Sequence, residues 1–503
     1  MKKSTRLLSA ILAALMLAGS LASCSTGENP DDTRAPDDTN AAVTEADTEL
    51  TDNLPADLDY GEDEVTIISR YKQGWTDCEI AVDGVKGEPV NDAVFERNKA
   101  VEERLNIKIN SIEDDASSEA AVVNRVALAV KAGTAEYDIM AAACYTTLPA
   151  TLNGTFINLL SQECEYLELD QPWWTQGFNE AIEYQGAQYA ALGSMLLSMY
   201  RFGFVTVFNK DLFTDASQAF PYEYVQNGTW TLDKQASLVP LFYRDNGDGV
   251  RDTTDTYGFA SSTYTNIDAY WSACQLDIVK KDEEGDFQLV MDLERVHSAV
   301  DKIIHLFHNT DGGTYNKKDG NDDQIWSTLR QMFSDGNAAM ASFRFMELEN
   351  SVMRNMIQEY GVVPMPKYDE LQDGHYTMLH DQFTVVAIPS TVTGKRLTQM
   401  SAVLEAMSST SYRIVKPVYY EATLRTKLAQ DPQSSEMMDI ITDNVYIDAG
   451  ILYVSTFNAY HHGLRDVVQN TTNNAASVFQ AKNRAMVKYL QQLTNKLDRL
   501  ATR

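Results

Sequence analysis

The groups in this sequence best suited to chemistry are aromatic rings set among acids and amides: 25 Tyr, 18 Phe and 6 Trp in 503 residues. The apolar CH faces of sugar rings stack on such side chains, while Asp, Asn, Arg and Gln meet the hydroxyls. Candidates for that role are Tyr145, Trp173, Trp174, Tyr200, Tyr264, Tyr270 and Trp271. Core packing is the ordinary fate of any single aromatic, and Trp230, just before an expected helix, reads as a packing anchor. The adjacent pair Trp173–Trp174 cannot both face one core in an extended segment. One of the two is therefore expected to face a ligand or an interlobe surface.

Other chemistry has thinner support. Asp301, His305 and His308 fall at i, i+4 and i+7, one helical face that could ligate a metal, although a solvated helix face produces the same pattern. Asn246, Asp248, Asp252 and Asp255 match positions three, five, nine and twelve of a calcium loop, with Gly249 at six. Arg244 then occupies position one and sets a cation where a carboxylate belongs. No G-x-S-x-G, H-E-x-x-H, phosphate loop or dinucleotide fingerprint is present. Acids are too abundant to single out a glycosidase pair. The expectation is no catalytic residue, no resident metal and no cofactor, with calcium opposed by Arg244.

The elements that must position these groups follow from hydrophobic periodicity. Val65–Ile68 reads as a strand. A helix opens near Asn91, with Val94, Phe95, Val101 and Leu105 at helical spacing, and Asn106 ends it. Ile107–Ile109 alternates as a strand, Glu119–Lys131 reads as a helix stopped by Gly133, and Tyr137–Met140 reads as a buried strand. This β-α-β-α-β order predicts an α/β fold with a parallel sheet, whose ligands gather at the carboxyl ends of the strands. Those ends carry Arg70 and Tyr145. Further strands are expected at Phe204–Phe208, Gly361–Pro364 and Phe383–Ile388. Helices are expected near Leu232, over Asp292–His308 and over Val478–Leu500.

The N-terminus combines Lys2, Lys3 and Arg6 with an uncharged apolar run, Leu7–Leu21, and then Leu21-Ala22-Ser23-Cys24. That run is short for a membrane span and reads as a secretory signal. Its end resembles the bacterial lipobox, which implies lipidation of Cys24. Residues 25–62 are acidic and poor in large apolar groups, a composition that predicts a disordered stalk. A hydrophobic content of 44% supports a sizeable core in the remaining body, and the net charge of −31 disfavours nucleic acid and anionic lipid surfaces. Cys78, Cys144, Cys164 and Cys274 show no C-x-x-C spacing and are expected as buried free thiols.

Several stretches, in order, resemble the family-one extracellular solute-binding proteins of ABC importers. They are Val207-Phe208-Asn209-Lys210-Asp211-Leu212-Phe213, Gly228-Thr229-Trp230-Thr231-Leu232-Asp233, the degenerate Asn246–Gly249 loop before Tyr257-Gly258, and Phe333-Ser334-Asp335-Gly336-Asn337-Ala338-Ala339-Met340. Val362–Glu370 and Ala387-Ile388-Pro389 continue the series. The resemblance implies a two-lobed periplasmic-binding-protein-like fold closing on its ligand by hinge motion. Lobe one would span about 63–200 and 341–410, and lobe two about 201–340 and 411–503. It also implies that Ser342, Phe343 and Arg344 line the cleft. Asp381, just before the Phe383–Ile388 strand, is expected at an interlobe crossing. The expected ligand-binding set is Arg70, Tyr145, Trp174, Tyr200, Tyr264, Trp271, Phe343, Arg344 and Asp381, with Trp271, Tyr145 and Phe343 as stacking rings.

The function this implies is a non-enzymatic receptor, lipid-anchored on the outer face of the bacterial cytoplasmic membrane. It would pass a soluble carbohydrate, an oligosaccharide first of all, to the permease subunits of an ABC transporter. The alternative is a secreted glycan-degrading enzyme or a surface glycan-binding protein without a permease. A peptide or lipid receptor on the same fold is a third reading, since fold does not fix ligand.

Overall fold

A computed structural model describes residues 51–115, 118–425 and 432–501. The expected signal segment 1–24, Cys24 and stalk residues 25–50 lie outside the described residues. Among those described, no helix is long and apolar enough to cross a membrane.

The first sheet forms as the periodicity predicts. Strand β1 (Asp63–Arg70) buries Val65, Ile67 and Ile68. Helix α1 (Pro89–Leu105) starts two residues earlier than expected, because Pro89 supplies the fixed φ suited to a first helical turn. Asn91 is buried instead, and its amide donates to the Gly84 carbonyl at 2.7 Å. Asn106 ends α1 in the left-handed region, and β2 (Ile107–Asp114) follows. Helix α2 (Ala121–Ala132) stops at Gly133, whose φ of 72° closes the last turn. Strand β3 (Ile139–Ala143) is buried throughout and runs into helix α3 (Cys144–Thr151). Strands β2, β1 and β3 are parallel, with Ile67 opposite both Ser111 and Ile139.

The second sheet is mixed. Its members are β4 (Phe204–Asn209), β5 (Phe259–Ser261), β8 (Thr314–Asn316), β9 (Met340–Arg344) and β10 (Tyr360–Pro364), in the order β10-β4-β9-β5-β8. A small hairpin, β6 (Val279–Lys281) with β7 (Phe287–Leu289), precedes helix α4 (Leu293–His308). Helix α5 (Asp322–Ser334) leads into β9. Trp230 is wholly buried, its indole N–H donating to the Pro364 carbonyl at 2.9 Å, as a packing anchor would.

Two expectations about organisation need correction. The chain does not return to the first sheet at 341. The fully buried β9 and β10 flank β4 antiparallel, with Phe204 opposite Arg344 and Val362 opposite Val207. The return is made by β11 (Thr384–Ala387), antiparallel to β3. Nor does the chain divide at 410, which falls inside one continuous helix, α6 (Lys395–Arg425), packed along α1. Helix α7 (Pro432–Asp443) then packs on β10, and α8 (Gly463–Gln469) and α9 (Ala475–Ala501) pack with α4.

The other correction concerns residues 51–62, which are anchored rather than free. The buried Asp52 carboxylate accepts two N–H groups of Arg104, at 2.8 and 2.6 Å, and the Ser409 hydroxyl. Leu54 is buried beside it, and the Tyr60 and Glu62 amides donate to the end of α1. A buried ion pair, a second one between Glu62 and Lys108, one leucine and two backbone hydrogen bonds hold a segment whose average composition reads as unfoldable. The four cysteines of the body are free thiols; Cys144, Cys164 and Cys274 are buried and Cys78 is partly so.

Candidate functional site

Asp381 lies on the segment that leads from the second sheet back to β11. It keeps 33% of its side chain open, yet burial lifts its pKa from the usual carboxylate range to about 6. The neighbouring charge of Asp268 pushes the same way, Arg465 opposes it, and Asp322 and Glu119 add to it. Glu119 sits in the turn before α2, beside the first sheet, while Asp268, Asp322 and Arg465 come from the turn 265–268, α5 and α8, beside the second, so Asp381 marks where the two halves of the molecule meet.

One wall is built at the carboxyl ends of the first sheet. Arg70 ends β1; its guanidinium binds the Glu119 carboxylate and donates to the Gln382 carbonyl at 2.7 Å. The Lys72 ammonium reaches Glu119 at 3.2 Å and the Gln382 side chain at 3.3 Å. Burial raises the Glu119 pKa, but Arg70 and Lys72 outweigh it and hold the carboxyl below its ordinary value. A tight turn follows, with Gly74 at φ 75° and its amide donating to Asp77. That turn folds Trp75 back beneath Lys72, whose ammonium is 3.5 Å from the ring centre. Tyr145, half-buried at the start of α3, has its hydroxyl pushed up to about 12 by burial and by Glu119 and Asp381.

The facing wall belongs to the second half. Asn266 donates to the Ser342 carbonyl at 2.9 Å and so fixes the turn 265–268 against β9. That turn presents Asp268 to Arg465, which binds it through two N–H groups. The Arg465 guanidinium also lies 5.0 Å from the ring centre of Tyr264, which is 44% exposed. Asp322 accepts the Thr265 hydroxyl at 3.1 Å and sits 3.8 Å from Arg344. Arg344 itself is buried between two indoles, 4.6 Å from Trp75 and 4.5 Å from Trp326, with Glu347 accepting two of its N–H groups. A cavity of about 450 Å³ adjoins this sandwich, lined among others by Trp75, Trp326, Arg344 and Glu349. A cavity of about 610 Å³ lies elsewhere, along Gln275, Arg295 and Asp369, and touches none of the convergent charges.

Carboxylates that accept, guanidinium groups that donate and two partly open phenol rings, Tyr145 and Tyr264, suit a ligand rich in hydroxyls. Of the residues expected from sequence, Arg70, Tyr145, Tyr264, Arg344 and Asp381 fall at this junction. The other four do not. Trp174 packs flat on Gly193, where an added Cβ would come within 2.5 Å of the ring. Both Trp173 and Trp174 point inward because one carboxylate, Glu405, accepts both indole N–H groups at 2.8 and 2.9 Å. Burial raises Glu405 to about 7. Tyr200 stacks on Tyr419 at 5.5 Å. Trp271 meets Phe479 edge-on and donates to the His461 carbonyl, and Tyr270 beside it is wholly buried. Phe343 packs against Phe333 and Trp326, and Ser342 is fully buried in the same strand. These rings have no face left for a ligand.

Sequence reasoning missed Lys72, Trp75, Glu119, Asp268, Asp322, Trp326 and Arg465. The strand-end rule reaches Lys72 and Trp75, which lie two and five residues after Arg70. Nothing local links Asp268 to Arg465, 197 residues on. On α4, Asp301, His305 and His308 are dispersed: Asp301 accepts from Asn473 at 2.8 Å, His308 bonds the Val468 carbonyl, and His305 is exposed. In the 244–255 loop, the side chains of Asp245, Asn246, Asp248, Asp252 and Asp255 accept from nearby backbone amides.

No protein-family model matches this sequence, and no curated protein matches it. Solved structures do. An ABC substrate-binding protein from Listeria monocytogenes, in complex with cycloalternan, superposes with a TM-score of 0.52 at 13% identity, over 84% of this chain and 99% of that one. A cyclo/maltodextrin-binding protein complexed with maltotetraose gives 0.52 at 13%, over 86% and 97%. A family 1 extracellular solute-binding protein from Bifidobacterium longum subsp. infantis gives 0.51 at 14%, over 84% and 100%. The chain has the periplasmic-binding-protein-like fold of these molecules, the fold that the sequence resemblance implied.

Proposed function

We propose that this chain is a receptor that binds a soluble carbohydrate at the junction of its two halves and delivers it to the permease of an ABC importer. The observation that carries the reading is the convergence on Asp381 of Glu119 from one half and Asp268, Asp322 and Arg465 from the other. A ligand held there contacts both halves, so binding and closure are one event. The fold is shared with binding proteins whose solved complexes hold cycloalternan and maltotetraose, which supports an oligosaccharide-sized ligand. Binding without chemistry is the role proposed, with neither cofactor nor calcium required.

The anchoring follows from the sequence. The apolar run before Cys24 supports export and a lipid on that cysteine, with the body outside the cytoplasmic membrane and touching it only through the anchor. A thermal-shift screen of residues 51–503 against mono- and oligosaccharides tests the reading, since a ligand bound only by the folded state raises its melting temperature. A carbohydrate that raises it, and is recovered unchanged, supports a receptor. Release of shorter sugars supports a glycan-degrading enzyme instead.

A further inference from the structure

Asp268, His461 and His462 each bring one ligand-type atom to within 4.8 Å of the others, the one such group of three or more His, Cys, Asp or Glu among the described residues. Two stretches of chain build the arrangement, 265–273 and 460–469. Trp271 donates to the His461 carbonyl and pins the backbone of the short helix Tyr460–His462. The His461 ring is buried; its Nε2 lies 4.0 Å from Asp268, and its Nδ1 has no hydrogen-bond partner. His462 meets it edge-on at 4.4 Å between ring centres and is only partly buried. Arg465, one turn on, holds the Asp268 carboxylate through two N–H groups.

We infer that Asp268, His461 and His462 form a site for a divalent transition-metal ion, zinc foremost, with one coordination position left open. Two imidazoles and one carboxylate are a donor set that zinc accepts and that calcium or magnesium does not favour. An orphaned ring nitrogen in the interior is costly; ring rotation gives it to the metal or to a first-shell water. Bonds of about 2.0–2.2 Å require ligand atoms about 3.3 Å apart around a tetrahedral ion. Ligation therefore draws His461 and Asp268 together by about 0.7 Å from their 4.0 Å separation, and brings His462 in by up to about 1.5 Å through rotation of its partly exposed side chain. Arg465 does not exclude the ion. Ligating carboxylates are ordinarily held by outer donors, and each Asp268 oxygen keeps a lone pair beyond the one Arg465 uses. The site stands whether or not the cleft takes a carbohydrate. Asp268 also raises the pKa of the Asp381 carboxyl, so the site lies beside the junction described above.

The test is zinc titration of tag-free, chelator-stripped protein by calorimetry, with cobalt absorption as a second readout. One equivalent of zinc is expected, with the visible bands of low-symmetry cobalt, and binding more than about 100-fold weaker in His462→Ala and Asp268→Asn. Since His461→Ala opens a buried cavity, the partly exposed His462 carries the decisive variant, with its melting temperature measured alongside. No binding at micromolar zinc overturns the inference. So does binding that is unchanged in folded His462→Ala, which would assign the ion to surface histidines such as His297 and His305.

Discussion

The guanidinium of Arg344 lies 4.6 Å from the ring centre of Trp75, a contact between the last residue of β9 in the second sheet and the turn after β1 in the first. Its other face meets Trp326, and Glu347 binds its edge, both from its own half. Separation of the halves would break the Trp75 contact and leave the others intact. The pair is therefore expected to latch the two halves together, with a cation–π contribution of about 0.5–2 kcal/mol.

Arg344→Lys keeps the charge but loses the planar group that fits between two indoles. The variant is expected to populate a more open form, read as a larger radius of gyration by small-angle X-ray scattering. Scattering that superposes on the parent protein's with and without ligand would rule out the latch.

Asp381 sets a pH dependence whose sign is fixed. Its folded pKa of about 6 lies above the unfolded carboxylate value of about 3.9, so between these values the folded state holds the extra proton. The stability from this group is complete below about pH 4 and is lost as pH rises through about 6. Asp381→Asn should therefore flatten the melting-temperature profile over that window and melt above the parent protein at pH 7. Ligand affinity should run the other way. An ionised Asp381 accepts a ligand hydroxyl more strongly than a protonated one, so affinity falls as pH drops through about 6. Parallel pH profiles for Asp381→Asn and the parent protein would sink this assignment.

Much of the frame was legible from sequence because it is local. The alternation in β1, the helical spacing from Val94 to Leu105 and the left-handed caps Asn106 and Gly133 each report on a few neighbouring residues. What failed was the choice between two fates of an aromatic ring. Trp271 and Phe343 match the composition of a sugar site, yet the partners that enclose them, Phe479 and Phe333, lie 208 and 10 residues away, and only tertiary packing makes them core. Trp174 failed for a specific reason: Glu405, on a distant helix, draws both adjacent indoles inward. The lobe boundary failed because Met340–Arg344 has the character of any buried strand, and nothing in it says which sheet it joins.

Trp271→Ala should accordingly act on stability. Removing a wholly buried tryptophan costs about 3–5 kcal/mol, as should Trp230→Ala. The remaining folded protein should keep its affinity in both. Loss of ligand binding in Trp271→Ala without a fall in melting temperature would return that ring to the cleft.

Cys24→Ser tests the anchor separately from the fold. The expected variant is exported but recovered in the soluble fraction, since the lipid is its sole hold on the membrane. Continued extraction with detergent as an integral lipoprotein would contradict the lipobox reading.

The central claim is that one ligand bridges both halves at Asp381, and amide hydrogen exchange with and without the carbohydrate found by screening tests it most directly. The account predicts protection in the 70–75 and 143–146 segments of one half and in the 263–268 segment of the other, with 380–383 protected between them. Protection confined to one half, or centred on the 369–373 loop beside the 610 Å³ cavity, would contradict it.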